Sequence, residues 1–247
     1  MTDSDRQQLY SSLVQQRKRC KACRGLTNPA ACDGGQYDSS QIGPWSRWQG
    51  NLQAKLMVVG QDWGDTNYFL KWKGSDDPKN PTNVNLTELL TSIGVNIKPF
   101  VVADQVGKIF LTNAILCLKQ NGMQGAIDDT WYENCGKKFL KPSIEIVKPN
   151  VLVALGEGPY KTILQAYGIR YVRPKSYRMV VEQVGQAGGK KLPGGALLFP
   201  VYHCGSKGVN INRKQPDQLN DWNLIRQAIQ THNPLGPKAA AFCCERQ

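Results

Sequence analysis

Three polar side chains and four cysteines in this sequence combine residue type and spacing in a way that can do chemistry. Asp62, Asn113 and His203 each stand at or near the end of a short apolar run: after Lys55–Gly60 (KLMVVG), within Ile109–Ala114 (IFLTNA), and closing Leu197–His203 (LLFPVYH). A carboxylate can stabilise a developing cation or deprotonate water. An amide donates and accepts at once, and a neutral imidazole can donate to a developing anion. Cys20 and Cys23 form a C-x2-C pair, and Cys117 and Cys135 are separated by 17 residues. Four thiolates suit an iron–sulfur cluster or a structural zinc, and spacing does not separate the two. Cys32 is the rival fourth ligand. Cys204, Cys243 and Cys244 read as small buried hydrophobes or tail thiols.

The elements that must position these groups follow from periodicity. Residues 3–18 read as a helix with Leu9, Leu13 and Val14 on one side. Residues 24–50, with Trp45 and Trp48, read as irregular. The three runs above and Asn150–Gly156 (NVLVALG) are nearly continuous in apolar residues, as strands buried on both faces are. Helical patterns at Leu86–Ile93, Trp131–Val147, Pro159–Tyr167 and Pro216–Gln230 alternate with them. This alternation predicts a three-layer α/β/α sandwich around a central four-stranded parallel sheet. The basic, Gly-rich link Ile169–Lys191 reads as a hairpin. Residues 1–232 form one domain and 233–247 a loose tail.

In open parallel sheets, sites form at the carboxyl ends of the strands. Gln61 and Asp62, Asn113, Gly156 and Glu157, and His203 all fall there. Each also has a plainer reading. Asp62 suits a turn or a helix cap, Asn113 an in-strand amide bonded to a loop, His203 a structural imidazole, and Gln61 a backbone donor.

The 247 residues carry 31 Lys and Arg against 19 Asp and Glu, a net charge of +12. That balance favours a polyanionic partner. No apolar run reaches the roughly 18 residues of a membrane span, and Met1–Arg19 lacks a signal core. The expectation is a cytoplasmic protein off the membrane, whose cysteines are reduced and free for metal. The Arg170–Arg178 run (RYVRPKSYR) interleaves cations with aromatics, which suits a nucleic-acid strand as well as an exposed hairpin.

The motifs in order are C-x2-C, G-Q-D-W-G (Gly60–Gly64), L-T-N-x3-C (Leu111–Cys117), Cys135, V-L-V-A-L-G, and Y-H-C-G-S (Tyr202–Ser206). Over roughly residues 9 to 230 this pattern resembles the uracil-DNA glycosylase superfamily. It is most similar to the family-4 iron–sulfur branch, with a Gln-Asp pair like that of the family-1 motif G-Q-D-P-Y. The resemblance implies a [4Fe–4S] cluster on Cys20, Cys23, Cys117 and Cys135, preferring Cys135 to Cys32, with a structural role.

By the same resemblance Asp62 is the catalytic carboxylate, His203 stabilises the departing base, and Asn113 reads the base with Gln61 beside it. Family 4 has a P-F pair where this chain has Pro81-Thr82, so the stacking aromatic moves to Tyr68, Phe69 or Trp72. Family 1 excludes the thymine methyl with a tyrosine at the position of Gly64. Ser206, Lys207 and Arg213 follow the histidine and suit DNA phosphates. The expected activity is monofunctional hydrolysis of the N-glycosidic bond of uracil, or a related deaminated base, in DNA by a monomer, since no lysine is clearly placed for lyase chemistry. The rivals are a glycosylase for hypoxanthine or mismatched thymine, and a non-catalytic zinc-containing nucleic-acid-binding protein.

Overall fold

The computed structural model describes residues 1–43, 51–75, 77, 79–95, 109–207 and 211–232. Trp45, Trp48, Cys243, Cys244 and the proposed tail lie outside them. The first helix, α1 (Asp3–Lys18), opens with a reciprocal cap between Thr2 and Asp5 and ends on Arg17 and Lys18, which complement its dipole. Its buried face is Tyr10, Leu13, Val14 and Arg17. Leu9 is turned outward, so Tyr10 takes the place assigned to it. The Tyr10 hydroxyl donates to Gln41 Oε1 and accepts from Ile42 N, which satisfies a buried phenol.

A short strand β1 (Leu26–Thr27) and a kinked 3-10 segment (Pro29–Gly35) follow. The central sheet then starts with β2 (Leu56–Gly60), succeeded by α2 (Thr66–Lys71) and α3 (Pro81–Ser92). Asn80 caps α3, and Pro81 sits at its first turn, where a missing N–H costs nothing. Next come β3 (Ile109–Asn113), β4 (Leu118–Lys119), α4 (Asp129–Cys135), a π-turn (Gly136–Leu140) and α5 (Lys141–Val147). The pattern predicts one helix over Trp131–Val147. Pro142, which lacks a donor, stands where the ladder is interrupted.

The remainder is β5 (Val151–Leu155), α6 (Glu157–Ala166), α7 (Tyr177–Gln186), β6 (Lys190–Lys191), β7 (Leu197–Val201) and α8 (Gln215–His232). The hairpin expected over Ile169–Lys191 is overturned. Tyr177, Val180, Val181 and Val184 repeat at helical spacing and put one apolar face of α7 inward. The hairpin comes later, where Pro193-Gly194-Gly195 turns β6 into β7.

The strand order is β3-β2-β5-β7-β6, with the first four parallel and the two-residue β6 antiparallel at the edge. The sheet is therefore five-stranded and mostly parallel, not four-stranded. The residues of β2, β3 and β5 are all buried, which explains their unbroken apolar runs. The helices make two packing groups: α1, α4, α5 and α6 with the π-turn, and α3, α7 and α8. Both groups reach β5 and β7, through α6 and α8. No helix among the described residues is long and apolar enough to cross a membrane.

Candidate active site

The chain leaves β2 for β3 on one side and later returns to β5 on the other. The helices that follow β2 and β5, α3 and α6, belong to different packing groups. The loops after these two neighbouring strands therefore diverge, and the rule for open parallel sheets puts a ligand crevice at their carboxyl ends. Gly156 closes β5 at φ 102°, a conformation that favours glycine. A Cβ there would meet only the His203 Cβ, at 3.8 Å. With parallel strands about 4.8 Å apart, the ends of β2 and β7 are separated by about 10 Å.

Asp62 lies on the β2 side of this gap, and its carboxylate is held at both oxygens. Oδ1 accepts from Gly64 N at 2.8 Å, which closes the turn. Oδ2 accepts from Gln61 Nε2 at 2.8 Å and from Lys119 Nζ at 3.3 Å. The turn-forming reading of Asp62 is thus correct, and it fixes the carboxylate beside the crevice. The Gln61 side chain is engaged by Asp62, and its backbone carbonyl accepts from Ile115 N at 2.9 Å. Asp65 then caps α2 by accepting from Tyr68 N at 2.7 Å.

Asn113 ends β3 directly opposite Gly60 in the register. Its carboxamide lies over the Gly60 Cα, where a Cβ would overlap Oδ1 and stand 3.3 Å from Cγ. Glycine is needed here for close approach. The side chain is buried, and its Nδ2 has no hydrogen-bond partner. A buried amide donor left unpaired costs about 1–3 kcal/mol, so the site carries an unmet demand for an acceptor.

His203 follows β7. Its Nδ1 accepts from Gly205 N at 3.1 Å, which leaves the proton of the neutral ring on Nε2 as a donor. The residue is exposed overall, yet the protein atoms packed around its ring desolvate it and push its pKa below the ordinary imidazole value, against the opposing pull of the Asp62 charge. Gly205 allows the tight turn, since a Cβ would stand 3.1 Å from the ring and 3.0 Å from Thr82 Oγ1. Asn85 Nδ2 donates to Cys204 O at 2.7 Å and ties this loop to α3. Tyr132, on α4, also feels the Asp62 charge, which together with burial raises its phenol pKa.

The structure separates the other expected residues. Tyr68 is half-buried, accepts from Asn80 Nδ2 at 3.1 Å, and has its ring 3.7 Å from where a Cβ of Gly64 would lie. Phe69 is only 4% exposed and packs in the core, so it leaves no face for a base. Trp72 is half-buried beneath Lys71. Ser206 and Lys207 are exposed. Arg213 is not available for phosphate: it is 8% exposed, forks onto Asp221 at 2.7 and 2.8 Å, and reaches Glu182 at 3.1 Å. The Arg170–Arg178 run is partly neutralised, because Arg173 pairs with Glu157 and Arg178 with Glu182.

Lys119 is the residue that the sequence reading missed. Nothing in LCLKQ marks it, since a lysine in a two-residue strand reads as a solvated edge. Two half-open hollows of about 310 and 460 Å³ among the described residues lie elsewhere, one between Tyr132 and Arg170 and the other near Pro193–Ala196.

Cys20, Cys23, Cys117 and Cys135 line one cavity of about 270 Å³, together with Arg17, Asn28 and Phe139. Cys32 is free and buried, and does not line it. Asn28 Nδ2 donates to Arg17 O and Cys20 O, and the Arg17 guanidinium is pinned by Asp38 at 2.7 Å, so the end of α1 is fixed beside the first two thiols. Burial raises the pKa of Cys117, and that of Cys135 to about 12, and each is raised further by its cysteine neighbours. The four sulfurs are therefore within electrostatic reach of one another. No group of three or more His, Cys, Asp or Glu among the described residues is placed to hold a single metal ion.

The family model for the uracil DNA glycosylase superfamily matches residues 48–224. The chain is also 23% identical over 233 residues to a type-5 uracil-DNA glycosylase of Pyrobaculum aerophilum, covering 89% of this chain and 92% of that protein. The motifs resemble family 4, whereas this relative carries the type-5 name. The matched span contains Asp62, Asn113, Cys117, Cys135 and His203, and with the crevice at the β2–β5 divergence it places this chain in the uracil DNA glycosylase superfamily.

Proposed function

We propose that this protein is a monofunctional DNA glycosylase that hydrolyses the N-glycosidic bond of uracil, on a three-layer scaffold and as a cytoplasmic monomer. Breaking that bond builds positive charge on the sugar and negative charge on the departing base, through an oxocarbenium-like transition state. Asp62, held at both oxygens, stabilises the sugar cation and orients the attacking water. The Nε2–H of His203 donates to the base carbonyl as the anion forms. Asn113 takes the Watson–Crick edge of the extruded base, whose unstacking costs a few kcal/mol.

The observation that carries this reading is the unpartnered Nδ2 of buried Asn113. It is an unmet donor on the sheet edge that also holds the carboxylate and the imidazole. A uracil O4 would satisfy it. Tyr68 is the aromatic beside the motif loop. The space above Gly64 is not empty, since a Cβ there would stand 2.7 Å from the Met123 Sδ. Met123 thus supplies bulk where the Gly64 side chain is missing, which supports uracil over thymine.

Four cysteines around one cavity fit a thiolate-held cluster. A zinc draws its sulfurs to about 2.3 Å from a common point, whereas a cubane takes thiolates at its corners. Cys20, Cys23, Cys117 and Cys135 would hold a [4Fe–4S] cluster, whose positive irons offset the mutual repulsion of the thiolates. It would fasten α1 and the π-turn to the loop after β3. Ser206 and Lys207 remain the phosphate contacts proposed near the histidine.

The test is a panel of labelled oligonucleotides, single- and double-stranded, each with one uracil, hypoxanthine or mismatched thymine, followed by alkaline cleavage of abasic sites. Excision of uracil, sharply lowered but still measurable in Asp62→Asn with DNA binding intact, is expected. Intact uracil strands beside a cleaved alternative would end the uracil assignment.

A further inference from the structure

Lys119 is 3% exposed at its side chain, and the Asp62 carboxylate it meets is 8% exposed. Lysine is almost never buried to that degree unless it is paired. Its ammonium donates to Asp62 Oδ2 at 3.3 Å and to Met123 O at 2.6 Å. Its backbone is fixed as well. Lys119 N donates to Gly64 O at 3.0 Å, and β4 pairs with β1 through Leu26 and Thr27. One residue therefore bonds the motif loop twice, at Gly64 and at Asp62, and ties the Met123 turn to the same loop. The Asp62 oxygens then have three donors: Gly64 N, Gln61 Nε2 and Lys119 Nζ. The ammonium facing Asp62 is that of Lys119, and the other titratable groups that feel its charge are the neutral His203 imidazole and the Tyr132 phenol.

We propose that Lys119 is a positioning residue for glycosidic cleavage, which fixes the Asp62 carboxylate through Oδ2 and holds the Met123 turn against the motif loop. The proposal rests on the glycosylase reading. Its chemistry is geometric. A carboxylate bonded at only one oxygen swings about its Cβ–Cγ bond, and a misplacement of about 1 Å at a reacting group costs about 10² in rate. A second donor on the other oxygen removes that freedom. Gln61 Nε2 at 2.8 Å and Lys119 Nζ at 3.3 Å hold Oδ2 together, and only the ammonium also supplies the opposite charge that a buried carboxylate needs.

The experiment uses the full chain with Lys119→Met, Lys119→Arg, Asp62→Asn and the double variant Asp62→Asn with Lys119→Met, on a uracil-containing duplex. Lys119→Met is expected to lower kcat about 10²-fold with KM within about threefold, and Lys119→Arg to recover at least about a tenth of the wild-type kcat. The double variant is expected to be no slower than Asp62→Asn alone, the mark of a residue acting through Asp62. Thermal melts identify any variant that is unfolded, and then Lys119→Arg with its double variant carries the comparison. Wild-type kcat in Lys119→Met, or full additivity in the double variant, would overturn the proposal. So would a borohydride-trapped covalent DNA adduct that needs Lys119, which would make it a nucleophile. If the wild-type protein leaves uracil intact, the glycosylase reading fails instead, and Lys119 is left untouched by the result.

Discussion

Gly60→Ala adds one methyl at the end of β2, where the Asn113 carboxamide crosses the neighbouring strand. The new Cβ would overlap Asn113 Oδ1 and stand 3.3 Å from its Cγ, so the amide must move by about 1 Å. A displacement of that size at a recognition group costs about 10² in rate, or about 2.7 kcal/mol in the barrier. The effect on stability is smaller. Alanine in a strand gains about 0.5–1 kcal/mol over glycine, while overpacking costs about 1–3 kcal/mol. The net loss is at most about 2.5 kcal/mol, or about 10 °C in Tm. The assay is single-turnover excision from a labelled uracil duplex, with a thermal melt on the same preparation. Asn113→Ala and the double variant complete the cycle. If Gly60 matters because it makes room for Asn113, the double variant is no slower than Asn113→Ala. Excision by Gly60→Ala within threefold of wild type, or losses that add in full, would refute the reasoning.

Three further outcomes follow from the same geometry. Because burial lowers the pKa of His203, the neutral Nε2–H donor persists as pH falls through the ordinary imidazole range. Excision should hold there and fall only at lower pH, and His203→Ala should lose about 10²–10³ in single-turnover rate; a pH–rate profile with its acid limb at or above the ordinary imidazole value would contradict this. Cys117→Ser should abolish the visible absorbance of anaerobically purified protein and cost about 3 kcal/mol, roughly 6–12 °C in Tm, whereas Cys32→Ser should keep the absorbance; stoichiometric zinc in a colourless wild-type protein would reject the cluster. Arg213→Met should destabilise by about 3–5 kcal/mol, because it strands the buried Asp221 carboxylate, while Lys207→Ala should leave the melt unchanged and reduce the salt slope of DNA binding by about 1; the reverse pattern would return Arg213 to the DNA contacts.

Much of the fold was legible because strands buried on both faces carry their own signal. The four apolar runs became β2, β3, β5 and β7 with shifts of a residue or two at their ends. The edge strand β6 was not legible, since Lys190-Lys191 has no apolar pattern and pairs only because the Pro193–Gly195 turn folds it back. The helix α7 hid beside a stretch of arginines and glycines, although its apolar spacing was present. In the first motif, Asp62 reads from sequence as a turn former or as a catalytic carboxylate; the coordinates show the turn, closed by Gly64 N, and a second hold on the same carboxylate from Lys119, which the sequence did not announce.

Residue type and order by themselves determined the parallel architecture and the polar groups at strand ends, because burial on two faces is a local property of the chain; the choice of Cys135 over Cys32 among the thiols of one cavity came from the family resemblance, since spacing left both open. Tertiary packing alone decided the rest. It spent Arg213 on Asp221, sank Phe69 into the core, left Asn113 Nδ2 without a partner, and set a buried lysine against Asp62. Those outcomes depend on which groups lose water together and which find a partner when they do, and desolvation of pairs distant in sequence leaves no mark on the order of residues.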